Sequence, residues 1–228
     1  MHSVSNSIAH VRARMSAAAR AAGRDPAEIT LIGVSKTRTA PEIRDALAAG
    51  LQDVGENYVN EALPKIEALR DRPACWHFIG AIQSNKTRNI ADAFDWVHTI
   101  DRVKIARRLA EQRNAARPAL DVLIQVNIDD EPQKAGVSVD GLSELVAAVA
   151  TLGRLRLRGL MAIPHETHDA TAKRRSFHRL AQLFEEHRPV GSETWDTLSM
   201  GMSADFEIAI AEGATMVRVG TAIFGERG

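Results

Sequence analysis

The chain has 228 residues, 45% of them hydrophobic, enough for one large or two small domains around a sizeable core. Lys and Arg total 29 against 29 Asp and Glu, and this zero formal charge gives no general pull toward nucleic acid or an anionic membrane. The single cysteine, Cys75, excludes an intrachain disulfide and suits a reducing cytoplasm, and no apolar run approaches the ~18 residues of a membrane span.

The first segment, "MHSVSNSIAHVRARMSAAARAAGR", is rich in Arg, Ala and Ser and has no acid, a composition shared with mitochondrial transit peptides. Ile8, Val11, Met15, Ala18 and Ala22 recur at three- or four-residue spacing, however, and predict a surface helix over about residues 5–22. Gly23 ends it, and Asp25-Pro26 turns the chain. Strands are then predicted at Thr30–Ser35, Leu51–Val54, Trp76–Gly80, Trp96–Ile100, Asp121–Asn127, Arg156–Ile163, Thr197–Met200 and Met216–Val219. Helices are predicted between them at Pro41–Ala49, Asn57–Leu69, Ser84–Ala93, Arg102–Ala115, Val139–Leu152, Ala170–His187 and Ala204–Glu212, with a short turn or helix after Thr221.

Regular β–α alternation argues for a parallel sheet, and eight strands in this length fit an α/β fold of the single-domain (β/α)8 TIM type, with the leading helix as an addition. A doubly wound open sheet is the rival, but "VSKTRTA" after the first strand is not its Gly-rich turn. No linker, repeat or low-complexity tract divides residues 1–228, and the barrel occupies about 30–228. Cys75 precedes an apolar run and reads as a buried structural thiol.

Barrel chemistry gathers where strands end. The first strand ends in "LIGVSKT", which places Lys36 at the mouth. Leu31, Ile32 and Val34 could supply an apolar surround that keeps its amine unprotonated. Taken alone, Lys36 also reads as a solvated loop lysine beside Arg38. The ends of strands seven and eight, "SMGMS" and "RVGTAIFG", carry neutral groups suited to a phosphate. Ser199 offers a hydroxyl, Gly201 a close backbone approach, Ser203 a cap for a helix near Ala204 with Asp205 in its first turn, and Gly220 and Thr221 N–H groups and a hydroxyl. A phosphate anchor together with a strand-end lysine points to pyridoxal 5′-phosphate (PLP). Asn57 opens the loop after strand two and can hydrogen-bond the PLP hydroxyl.

"LIGVSKT", "VGENYVNEA", "WHFIGAIQSNK", "GLMAIP" and "LSMGMSADFEIAIAEGATMVRVGTAIFG" together resemble the PLP homeostasis proteins, the YggS/PROSC family, which are themselves similar to the barrel domain of bacterial alanine racemase. The resemblance spans nearly the whole chain and keeps the family's order. It implies a PLP-binding barrel with Lys36 as the Schiff-base lysine, phosphate contacts from Ser199, Gly220 and Thr221, and Arg218 facing the pyridine nitrogen. It also supports the leading helix over the transit peptide. An arginine at the ring nitrogen disfavours the pyridinium and makes the cofactor a poor electron sink. Two-base racemases pair the lysine with a tyrosine from a second domain of a partner subunit. Here the single tyrosine is Tyr58 and the barrel uses nearly all the chain.

Other patterns carry less. "HETHD" (His165–Asp169) has two histidines three apart without a convincing third ligand, so a polar loop is expected and no metal site. His77 reads as a core histidine or a cofactor neighbour. Lys86 and Arg88 in "QSNKTR" read as a solvated helix end or a recruiting patch. "EPQKAG" partly matches a family loop carrying Lys134, with Pro132 and Ala135 as departures. The expectation is a cytoplasmic, monomeric, non-catalytic carrier of PLP and related B6 vitamers that supplies apo-PLP enzymes, without membrane or nucleic-acid partners and with no catalytic residue. A PLP-dependent racemase-like enzyme is the alternative, and a barrel holding another phosphorylated ligand is the third reading.

Overall fold

A computed structural model describes residues 3–131, 133–165 and 169–226. Its strands are β1 Thr30–Val34, β2 Asp53–Glu56, β3 Cys75–Phe78, β4 Trp96–Ile100, β5 Leu120–Gln125, β6 Leu155–Met161, β7 Thr197–Met202 and β8 Met216–Val219. The helices are α1 Val4–Ala21, α2 Ala40–Ala48, α3 Val59–Ala68, α4 Thr87–Ala93, α5 Val103–Gln112, α6 Leu142–Ala150, α7 Ala170–Glu186, α8 Phe206–Ala211 and α9 Thr221–Phe224. The strands run parallel in chain order, and β8 pairs with β1 to close the barrel. The expected (β/α)8 fold with an extra leading helix is the observed one.

Strand alternation divides the core in two. Ile32, Trp96, Leu123, Met161 and Met216 pack against each other inside the barrel. The larger outer cluster lies between sheet and helices and includes Leu31, Val54, Phe78, Val97 and Leu160. The apolar stripe of α1 buries Ile8, Val11, Met15 and Ala19. Its polar side and the turn after it strap the closing elements: Arg14 donates to Glu207 of α8 at 2.7 Å, and Arg24, just past the helix, donates to the carbonyls of Ile210 and Ala214. Gly23, at φ 69°, turns the chain out of α1 as expected. The α2 start is a capping box, in which Thr39 and Glu42 each satisfy the other's backbone N–H. Among the described residues no helix is long and apolar enough to cross a membrane.

Differences from the sequence reading fall at element ends. Asn57 and Tyr58 stay in the loop, because Tyr58 is extended at φ −128° and α3 begins at Val59. The segment after β3 opens with a 3-10 turn, Ser84–Lys86, before α4. Strand β7 runs on to Met202 with a shift in its register to β8 after Ser199. Asp205, not Ser203, occupies the N-cap position of α8. The room made by Gly201, at φ 91°, is filled by α8: a Cβ there would meet the Ala209 Cβ at 2.6 Å.

Candidate functional site

Inward-facing positions alternate along β1, so Ile32 lies in the barrel interior, Val34 above it, and Lys36 follows on the same side at the mouth. Leu31 faces the outer core and takes no part in the apolar surround expected for Lys36. A buried cluster just outside the barrel wall holds this turn. Ser35 Oγ donates to Glu56 Oε1 at 2.6 Å, and Lys65 Nζ donates to the same oxygen at 2.7 Å and to the Ser35 carbonyl at 3.0 Å. Burial pushes the Glu56 carboxyl above its ordinary range, while Lys65 and Ser35 pull it back. Beyond Lys36 the chain turns through Thr37 at φ 65°, a left-handed conformation that a β-branched residue adopts only when its surroundings hold it.

A cavity of about 280 Å³ opens at this end of the barrel. Lys36, Asn57, Ser203, Arg218, Gly220 and Thr221 line it, with Val34, Ile79, Ile163 and Met202 supplying apolar wall. Its size is at the small end for small-ligand pockets, roughly 300–1,000 Å³. A larger cleft, about 680 Å³, lies between α1, α2 and α9, but its ionisable lining groups are Glu42 and Asp45, which repel a phosphate.

The polar groups of the cavity differ in what they have left to offer. Asn57 Oδ1 is buried and has no hydrogen-bond partner, so it is an acceptor in want of a donor such as a ring hydroxyl. Gly80 positions it, since a Cβ there would overlap the Asn57 carbonyl. Arg218 is 4% exposed at the cavity floor. Its Nη1 donates to Ser199 Oγ at 2.7 Å and its Nη2 to the Ala162 carbonyl at 3.0 Å. Burial lowers its pKa to about 10, and Asp205 opposes the shift, so it is a cation at neutral pH.

Of the expected site residues, Lys36, Asn57, Arg218, Gly220 and Thr221 meet at this cavity, and Ser199 does not line it. Ser199 is fully buried beneath Arg218, and its hydroxyl also meets His98 Nδ1 at 3.0 Å. The hydroxyl at the mouth is that of Ser203, which accepts the Ala222 N–H at 3.5 Å, while Asp205 Oδ1 accepts the Met202 N–H at 2.7 Å. Within the segment expected to carry a phosphate hydroxyl, the residue that lines the cavity is Ser203, because β7 continues past the buried Ser199 to Met202.

His77 lies in the core, with Nε2 3.0 Å from Asp53 and Nδ1 3.0 Å from His98. Neither it nor His98 lines the cavity. The paired strings "WHF" and "WVH" on neighbouring strands were the available signal for His98, which the sequence reading missed. Lys86 Nζ donates to Asn60, and Lys134 pairs with Glu131, which also meets His165. Pro132 and the Glu166–His168 part of "HETHD" lie outside the described residues. Tyr58 is 58% exposed and outside the cavity lining. Asp53, Cys75 and His77 bring ligand-type atoms within 4.8 Å of one another at the opposite end of the barrel. Burial and the carboxylates of Asp53, Asp95 and Asp121 push the Cys75 thiol up and keep it protonated.

Residues 7–228 match the family described as alanine racemase, N-terminal domain. The chain is 54% identical over 227 residues to the pyridoxal phosphate homeostasis protein of Pseudomonas aeruginosa, covering 100% of this chain and 97% of that protein. PipY of Synechococcus elongatus, solved with PLP bound, superposes with a TM-score of 0.81 at 32% identity, covering 97% of this chain and 100% of the other. An alanine racemase from Corynebacterium glutamicum shares the fold at a TM-score of 0.66 and 18% identity; the match covers 96% of this chain and 60% of the racemase.

Proposed function

The chain belongs to the pyridoxal phosphate homeostasis proteins, built on the alanine racemase N-terminal barrel, and from that premise we propose that it binds PLP covalently through Lys36 as a carrier and buffer. One observation carries this reading: a strand-end lysine, an orphaned amide oxygen, a buried guanidinium and a group of neutral phosphate donors converge on a single small cavity. When bound, PLP supplies an aldehyde for covalent capture and a ring whose electron-sink power depends on a protonated nitrogen.

The residues divide that work. The Lys36 amine makes the covalent bond. Asn57 meets the ring hydroxyl. Ser203, Thr221 and the backbone N–H groups at Gly220 and Thr221 hold the phosphate, with Ser203 standing in for the Ser199 of the sequence expectation. Arg218 donates to the ring nitrogen and keeps it unprotonated, which favours holding over carbanion chemistry. Ile79, Ile163 and Met202 limit water around the ring.

The carrier reading extends to related B6 vitamers as ligands and apo-PLP enzymes as recipients, in the cytoplasm and as a monomer. A racemase-like enzyme is the rival. Tyr58, the single tyrosine, lies outside the cavity lining, and this leaves the rival without its second base. The deciding experiment incubates the purified protein with PLP, records the visible spectrum, reduces with borohydride and maps the labelled residue. A visible band lost on reduction and a label on Lys36 are expected. A label elsewhere overturns the site, and multiple turnover of alanine or serine overturns the carrier.

A further inference from the structure

A line of buried polar side chains crosses the barrel interior from the cavity floor to the opposite face. It begins at Arg218, whose Nη1 lies 2.7 Å from Ser199 Oγ. Ser199 Oγ lies 3.0 Å from His98 Nδ1, and His98 Nε2 lies 3.0 Å from His77 Nδ1. His77 Nε2 lies 3.0 Å from Asp53 Oδ1. Ser199, His98 and His77 are each fully buried, and His77 is stacked on Trp96 with ring centroids 5.6 Å apart. Asp53, the far end, has a side chain 21% exposed beside a cleft under α1.

The protons in this line have one consistent arrangement. A guanidinium only donates, so Ser199 Oγ accepts from Arg218. The Ser199 hydroxyl proton then needs an acceptor, and the remaining partner of that oxygen is His98 Nδ1. A proton on His98 Nδ1 would leave a buried O–H unsatisfied. Burial holds His98 well below its ordinary pKa, so the ring is neutral and its proton sits on Nε2. His98 therefore donates to His77 Nδ1, and His77 carries its own proton on Nε2 and donates it to Asp53. A carboxylate only accepts, so the series ends there. Every bond points from the cation to the anion, and each polarises the next in a low-dielectric interior.

We infer that Asp53 is a positioning residue for Arg218: the terminal acceptor of a directed hydrogen-bond relay that serves the buried guanidinium as a remote counter-ion. The direct hydrogen-bond partners of Arg218, a hydroxyl and a carbonyl, are neutral, and Asp205, the carboxylate that acts on it through space, is itself paired with Lys173. The relay gives the Ser199 oxygen extra negative character and fixes it under Arg218, so the guanidinium keeps both its charge and its aim into the cavity. The functional part rests on the proposed role of Arg218 at the ligand, whereas the proton arrangement belongs to the ligand-free protein. A cation held by Asp53, Cys75 and His77 is the competing use of this end. It requires a bare His77 Nε2, which moves the proton to Nδ1 and reverses the series.

Long-range 1H–15N correlation spectra of the PLP-free full chain, labelled at histidine, read the relay directly. His77 and His98 are expected to be neutral, each protonated on Nε2 and bare on Nδ1. A proton on Nδ1 of either ring, or an imidazolium at either, overturns the inference. Asp53→Ala leaves both tautomers fixed from the Arg218 end but removes the acceptor of the His77 Nε2–H, so that proton's resonance should move upfield or be lost to exchange, whereas Asp53→Asn, a neutral acceptor of similar shape, should keep it. With PLP added, Asp53→Ala should weaken binding at least threefold and shift the absorption band. The Asp53→Ala/Ser199→Ala double variant should bind no more weakly than Ser199→Ala, because both act through one line. Wild-type PLP affinity and absorption in a folded Asp53→Ala protein, or additive losses in the double variant, overturn the inference. Failure of PLP to bind the wild-type protein would refute the proposed function while the tautomers still decide the relay.

Discussion

At the floor of the barrel, where the strands begin, charge is matched with countercharge. Asp121 accepts from Arg156 and Arg158, Arg158 also pairs with Asp196 at 2.7 Å and lies over Trp96, and Arg117 pairs with Asp95 at 2.8 Å. Arg113, buried nearby, serves the carbonyls of Ala91, Phe94 and Pro118. The mouth has one buried pair, Glu56–Lys65, behind its wall, and the groups that face the cavity are left less satisfied. Asn57 Oδ1 has no partner, Thr37 is held left-handed, and Ile163 and Met202 stand 38% and 40% exposed. A buried acceptor left unpaired costs about 1–3 kcal/mol. The contrast separates stability from binding along one axis: the floor secures the fold, and the mouth keeps groups in reserve for a ligand.

The sharpest way to break that contrast is Lys36→Ala. It should abolish covalent PLP capture and its visible band completely while leaving the thermal midpoint near wild type, and a large fall in the midpoint would show that the mouth carries fold stability. The reverse experiment is Arg113→Ala. Two buried carbonyls and a part-buried one lose a shared donor, so a loss of about 3 kcal/mol is expected in denaturant titration, with PLP affinity unchanged once the protein is folded. A matching loss of affinity would deny the separation.

Within the mouth, Ser203→Ala and Thr221→Val should each weaken PLP by about 2 kcal/mol and pyridoxal far less, since a bond to a charged phosphate is removed. Ser199→Ala should weaken both ligands alike, because it acts on Arg218. Titrations of the two ligands against each variant check this, and phosphate-selective loss in Ser199→Ala would restore the sequence expectation. The smallest effect lies at α2. Thr39→Ala removes half a capping box and should cost about 1 kcal/mol in thermal or denaturant unfolding. Bonds from Thr39 hold Glu42 below the ordinary carboxylate range. The stability Glu42 contributes is therefore present above its unfolded pKa and lost as pH falls through the depressed folded value. Thr39→Ala should lose less stability than wild type across that acid window.

Much of this plan was legible before any coordinates. The strands alternate with helices at a spacing that admits a barrel, strand ends point to Lys36, Asn57, Gly220 and Thr221, and the family resemblance adds Arg218; all five reach one cavity. Ser199 shows where such reading stops. Ser199 faces into the barrel as an end-of-strand hydroxyl should, but β7 runs on past it to Met202 and Arg218 lies over it, and depth along a strand leaves no mark in composition. His98 was missed for a related reason. A histidine in an apolar strand looks like filler until its neighbours across three strands are known, and those neighbours come from closure of the barrel.

The seam between β1 and β8 has a consequence in time. Lys36 and Asn57 leave the ribosome before Arg218, Gly220 and Thr221, by about 10–40 s at ordinary rates of synthesis. Until β8 arrives, β1 lacks one of its two neighbours and α1 has no α8 to strap. A nascent chain thus displays Lys36 before the strand that brings Arg218, Gly220 and Thr221 to the same cavity. The cavity is complete only when β8 closes on β1, so on the proposed reading a growing chain cannot yet hold a ligand there.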